Sequence, residues 1–166
     1  MMTMTTMTMP TPDEMKDEMK NGMMGHMMDD MMNDDTMITM VMPVEQPDEL
    51  YERFAAALNG NDLEGIVALF DPAGQTIPQP GQPPVGGEGV RVVMAQCLAL
   101  KPQIRYEKMN IIEADDIALL RSQWRLRVTP PGGQLMEVTG QGLQVARKQA
   151  DGSWRILIDN PWAAEM

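Results

Sequence analysis

The run Ile117–Thr129 constrains this chain most. In it Ala118, Leu120, Ser122, Trp124, Leu126 and Val128 alternate with Leu119, Arg121, Gln123, Arg125 and Arg127. A period of two with one apolar side is the pattern of an antiparallel strand that covers one face and wets the other. Turn formers bracket the run, Asp115-Asp116 before it and Pro130-Pro131-Gly132-Gly133 after it. Hairpin-linked neighbours are therefore expected: Gln103–Glu113 upstream, Leu135–Gln149 downstream, then an Asp151-Gly152 turn into a last strand at Ser153–Asp159. Arg121, Arg125 and Arg127 are expected on the outer, wet face, solvated or in a polar dimer contact rather than in an anion site.

Upstream, the spacing becomes helical. Pro47-Asp48-Glu49 opens a helix with acids in its first turn, and Leu50, Phe54 and Leu58 repeat every four residues on one face. Asn59-Gly60 ends it. Asn61 is the expected cap of a second helix, with Leu63, Ile66, Val67 and Phe70 as its stripe and Asp71-Pro72 as its stop. Thr76 to Gly89 is rich in Pro, Gly and Gln, so it reads as a loop with at most a short strand near Gln75–Ile77. A third helix follows from Glu88, with Val90, Val93, Met94 and Cys97 on one side and Lys101-Pro102 closing it. Helices first and hairpin strands after predict a segregated α+β domain over residues 47–166, with three helices on one face of a curved antiparallel sheet.

Residues 1–46 differ in kind. Sixteen of the 20 methionines precede Pro43, and two bases against nine acids place −7 of the net −11 there. Thr11-Pro12-Asp13-Glu14 resembles a helix start, and Met15, Met19, Met23, Met27 and Met31 form a stripe after it. This Met-rich acidic extension is read as disordered or loosely helical. The stripe packs on the domain or a neighbouring subunit in one reading; in another, thioethers and His26 form a soft-metal site. A third reading starts the natural chain at Met40 or Met42.

The acidic balance and the lack of a clustered basic patch argue against nucleic acid. One cysteine, Cys97, permits no internal disulfide and is read as a half-buried structural thiol. No apolar run is long enough to span a membrane, and the N-terminus lacks the features of a secretory signal, so a cytoplasmic location is the default expectation. No cofactor or metal is expected in the domain.

Three stretches carry a resemblance. Asn61–Phe70 resembles the second helix of the nuclear-transport-factor-2-like superfamily, Gly81-Gln82-Pro83-Pro84-Val85-Gly86-Gly87 resembles the loop before the third helix of ketosteroid isomerases, and Asp151–Ile156 resembles the final hairpin of SnoaL-like proteins. The resemblance implies a cone-shaped curved sheet packed on three helices, a cavity between them for a small, largely apolar ligand, and a homodimer, commonly through the outer sheet face. Isomerases of the family use a carboxylate base, a tyrosine and a protonated Asp. Those positions fall here near Gln79, on Phe54, and among Gly140, Gln141, Gly142 and Leu143, and no acid occurs from Ile77 to Val85. The resemblance therefore does not extend to classical steroid isomerisation, which needs a base.

The expected cavity lining is Phe54, Leu58, Phe70, Ser122, Trp124, Gln141, Asn160 and Trp162. Asp159 is the candidate acid. If Trp154, Ile156 and Ile158 face the core, Asp159 faces out unless a bulge or Pro161 shifts the register. Two functions stay open at this point. One is a non-catalytic pocket or association module. The other is an isomerase, cyclase or hydrolase acting on a small apolar metabolite through Asp159 or a bound water. A buried acid in the cavity favours the second.

Overall fold

The computed structural model describes residues 42–164. The expectations placed on the Thr11 helix start, the Met stripe, His26 and Met40 lie outside the described residues.

Helix α1 (Glu49–Asn59) buries Leu50, Tyr51, Phe54, Ala57 and Leu58, the spacing of one helical face. Helix α2 (Leu63–Ala68) is capped by Asp62, whose side chain accepts from Gly65 N at 2.9 Å. The cap thus falls one residue after the expected Asn61, which instead takes the left-handed backbone at φ 56°. Helix α3 (Glu88–Leu98) buries Val90, Met94 and Leu98.

The sheet has six strands in the order β2-β1-β6-β5-β4-β3. They are β1 (Phe70–Thr76), β2 (Val85–Gly86), β3 (Gln103–Ala114), β4 (Ile117–Val128), β5 (Met136–Lys148) and β6 (Trp154–Asn160). The four hairpin-linked strands β3 to β6 follow the sequence closely, including the Asp115 turn at φ 53° and the Gly152 turn at φ 86°. Strand β4 buries Ala118, Leu120, Ser122, Trp124 and Val128, with Arg121, Gln123 and Arg127 exposed.

The region between α2 and α3 departs from expectation. Phe70 does not extend α2 but begins β1, which runs parallel to β6, so the sheet is mixed rather than wholly antiparallel. Pro72 fits there because the β1–β6 register is interrupted between Phe70 and Gln75, and a residue in such a gap needs no ladder donor. A long-range pairing of this kind leaves no periodic signal in a segment this rich in Gly and Pro.

One core joins helices and sheet. Leu50, Phe54, Leu58, Ile66, Phe70, Leu120, Trp154 and Ile156 belong to it, and so does Val44, whose carbonyl accepts from Trp154 N at 2.8 Å. Two polar ties fix the edges. Asn59 pairs with the backbone of Ile104, donating to its oxygen at 3.0 Å and accepting from its nitrogen at 2.6 Å, which joins the end of α1 to edge strand β3. Asp71 on β1 takes a bidentate pair from Arg147 at 3.0 and 2.9 Å, Gln149 Nε2 at 2.7 Å and Ala73 N at 2.8 Å.

Candidate functional site

Between helices and sheet lies a cavity of about 130 Å³, and its lining is overwhelmingly apolar. Phe54 and Leu58 enter from α1, Met94 and Cys97 from α3, and Ile104 and Tyr106 from β3. Strand β4 contributes Ser122, Trp124 and Leu126, in keeping with its covered parity. Ile77-Pro78 and Pro161-Trp162 complete the lining.

One ionised-type side chain reaches this space, and it is Asp159. A single displacement in the sheet brings it there. In the β5–β6 ladder Ala146 stands opposite Ile156, but Val145 stands opposite Ile158, so Leu157 is an extra residue on β6. A bulge of this kind reverses the alternation beyond it. Ile158 is turned out, 44% exposed, and Asp159 is turned in, 4% exposed.

The buried carboxyl has two partners. Thr76 Oγ1 donates to Oδ2 at 2.8 Å and Gln144 Nε2 donates to Oδ1 at 2.9 Å. Burial pushes the Asp159 pKa above the usual carboxylate range, and the Gln144 and Thr76 hydrogen bonds oppose this only in part. Among the described residues no Lys, Arg or His lines the cavity to hold the charge. The other titratable groups nearby stay protonated. Burial drives Tyr106 well up, with the charge of Asp159 adding to it, and raises the Cys97 thiol in the same way. Tyr51 is pushed up to about 12 by burial, eased by the neighbouring Ser122. Its ring packs edge-on against Tyr106 at 4.6 Å. The Ser122 contact is not a hydrogen bond of good geometry, and Tyr51 Oη remains buried without a partner.

Six of the nine expected residues line the cavity: Asp159, Phe54, Leu58, Ser122, Trp124 and Trp162. Three do not. Phe70 is spent in the core, because it starts β1 rather than closing a helix. Gln141 is exposed on the outer face opposite Gln123, and the inward amide of that strand is Gln144, whose partner across the ladder is Asp159. Asn160 faces away from the cavity beyond the bulge, and its Oδ1 accepts from Trp162 N at 3.1 Å to form the C-terminal turn.

The inward positions before Gln144 are Gly140 and Gly142, and both are glycine for a reason of space. A Cβ on Gly140 would lie 2.3 Å from Trp124 Cζ2, and one on Gly142 would lie 2.8 Å from Ser122 Oγ. The glycines let the Trp124 indole lie flat along the sheet, where its Nε1 donates to Pro161 O at 3.0 Å and its ring meets Trp162 at 5.7 Å. Sequence reasoning missed Tyr51, Thr76, Tyr106 and Gln144. Tyr51 and Tyr106 had a signal, since Tyr51 shares the α1 stripe and Tyr106 alternates with Ile104. Thr76 and Gln144 depend on strand register alone.

Two further buried polar atoms lack partners among the described residues, Gln144 Oε1 and Trp162 Nε1. Buried polar groups are normally paired, and both of these belong to residues that line the cavity. No His, Cys, Asp or Glu cluster able to hold a metal occurs among the described residues, and no described helix is long and apolar enough to cross a membrane.

Comparison with known proteins agrees with this geometry. The profile of the SnoaL-like domain matches residues 51–156. No curated protein sequence matches the chain. Among solved structures, a ketosteroid isomerase-like protein from Erwinia carotovora atroseptica superposes with TM-score 0.61 at 23% identity, over 68% of this chain and 89% of that one. A protein proposed as a dehydratase of the NTF2-like family from Streptomyces avermitilis gives 0.60 at 21%, over 70% and 92%. One proposed as a calcium/calmodulin-dependent protein kinase II association domain from Xanthomonas campestris gives 0.61 at 21%, over 67% and 80%. At these identities the likeness is one of fold.

Proposed function

This chain belongs to the SnoaL-like domain family, and from that premise we propose that it is an enzyme that moves a proton on a small, largely apolar metabolite, with Asp159 as the proton carrier. The observation that carries this reading is the buried Asp159 carboxyl on an apolar cavity, with no cation beside it. A desolvated carboxyl of raised pKa is a stronger base when ionised and a usable acid when protonated near neutrality. Two of the structural neighbours, an isomerase-like protein and a proposed dehydratase, are named for chemistry of this type.

A single carboxyl restricts the reaction. Ionised Asp159 accepts a proton from a carbon adjacent to a carbonyl, and the electron pair moves onto the carbonyl oxygen as an enolate. Asp159, now protonated, returns that proton to another carbon of the same face, giving an isomer, or to a departing hydroxyl, giving an alkene and water. The unpartnered Trp162 N–H and the protonated Tyr106 hydroxyl are the donors available to the enolate oxygen. Classical steroid isomerisation stays outside this reading, since Gln79 sits in an exposed loop accepting from Gln82 Nε2 at 3.3 Å.

The test is deuterium wash-in. Small cyclic and aryl ketones are incubated in D2O with the protein, and loss of α-proton signal is followed by NMR. Wild type is expected to exchange faster than buffer and Asp159→Asn is not. Exchange at the buffer rate, together with an Asp159 carboxyl that titrates in the ordinary range, would overturn the proposal.

We also propose that the chain forms a homodimer through the outer sheet face. Ile112, Leu119, Val145 and Ile158 are successive partners across β3, β4, β5 and β6, which aligns them in one row. Ile112 is 53% exposed and Ile158 44%. Arg125 bridges Glu107 and Glu137, and Arg127 also pairs with Glu137, so part of the charge on that face is already met within the chain.

A further inference from the structure

Gln144 holds one half of its carboxamide against Asp159 and leaves the other half unused. Its Nε2 donates to Asp159 Oδ1, and its Oε1 is buried without a partner among the described residues, on a side chain that lines the cavity. Thr76 covers the second carboxylate oxygen from β1. Each atom in this arrangement is matched to an ionised carboxylate, which only accepts. A proton on Oδ2 would need only the Thr76 hydroxyl to turn and accept it, but a proton on Oδ1 is a donor where Gln144 already presents an NH2. The clash is relieved when the carboxamide turns over, so that Oε1 accepts the carboxyl proton and the NH2 takes the place Oε1 held.

We propose that Gln144 sets ligand preference by turning its carboxamide with the protonation state of Asp159. With Asp159 ionised, the wall offers an oxygen and selects ligands bearing a hydroxyl or N–H. With Asp159 protonated, it offers an NH2 and selects ligands bearing a carbonyl. Turnover of a planar amide on its long stem needs no backbone change and exchanges groups of nearly equal size. Other titratable groups do not interfere. Among the described residues, those facing Asp159 are Tyr51 from α1, Cys97 from α3 and Tyr106 from β3, all held protonated by burial, and no charged side chain faces it. The inference deepens the proton-transfer reading, because the enolate oxygen forms as Asp159 takes up the proton, the state in which Gln144 would present its NH2. Its test needs binding only, so it can fail while the catalytic reading stands, and the reverse.

Two matched probes decide it: cyclopentanone, which only accepts, and pyrrole, which only donates. Their dissociation constants are measured by NMR titration on either side of the Asp159 transition, which is followed by the 13C signal of its carboxyl. The ratio of the two constants is expected to change about tenfold across that transition, the worth of one buried hydrogen bond. In Gln144→Met the change is expected to be several-fold smaller while both probes still bind. A constant ratio in wild type overturns the proposal. So does a change of undiminished size in Gln144→Met, since Asp159 would then act on the ligand alone. If that variant does not fold, the side-chain amide signals of Gln144 in wild type decide: they move with the Asp159 carboxyl if the amide turns, and staying fixed overturns the proposal.

Discussion

Ile156 and Asp159 face the same side of the sheet, although a separation of three sends residues of a regular strand to opposite faces. Leu157 supplies the extra position, and the carboxyl on the cavity wall follows from it. The bulge exchanges an isoleucine for a carboxyl on the inner face, and that carboxyl then meets Thr76 from a parallel neighbour and Gln144 from an antiparallel one.

Asp159→Asn should separate function from stability. Activity is expected to fall by about 10²- to 10⁴-fold, the usual worth of a proton-transfer group. Stability should move the other way. The folded-state pKa is raised, so the native protein binds more protons than the unfolded chain between the two pKa values, and stability falls as pH rises through that window. Above it, the neutral amide is expected to raise Tm relative to wild type, and thermal melts of both proteins against pH check this.

The Asp71–Arg147 pair should govern acid sensitivity. Arg147 first, then the backbone and Gln149 contacts, hold the Asp71 carboxyl down to about 2. A depressed folded pKa contributes stability above the unfolded value that is lost as pH falls from about 4 towards 2. Asp71→Asn is expected to cost about 1–2 kcal/mol at neutral pH, less than a fully buried pair because the Arg147 side chain is 43% exposed. Urea denaturation at pH 7 and pH 3 measures it, and the difference between the two proteins should shrink at the lower pH.

Gly140→Ala should damage the cavity through Trp124. The new methyl would sit 2.3 Å from the indole, which is walled in by Pro161 and Trp162 and has to tilt into the cavity. The cost is expected to be about 1–3 kcal/mol, the range for overpacking. A changed tryptophan emission and weaker binding of cyclopentanone are the readouts.

Ile158→Lys tests the outer face. The side chain points away from the cavity, so folding and probe binding should be retained while the proposed dimer dissociates. Light scattering across a concentration series reports the mass, and a wild-type protein that is monomeric throughout would remove the dimer proposal.

The order of the three helices and the four hairpin-linked strands was legible without coordinates because each follows from local chemistry. The stripe Leu50, Phe54, Leu58 makes a helix face, the alternation of β4 makes a half-covered strand, and Asp151-Gly152 makes a hairpin turn. These also carried Phe54, Leu58, Ser122 and Trp124 to the cavity wall, since parity within one unbroken strand or helix is a local property. What the tertiary structure alone decided is register between segments distant in the chain. Phe70 went to the core because β1 pairs with β6, more than eighty positions away, and Gln144 rather than Gln141 faces inward because of how β5 sits against β4 and β6. The inward turn of Asp159 has the same origin. A one-residue bulge costs the sequence no visible feature, yet it reverses every side chain beyond it, so the residue type was readable from the sequence and its direction was not.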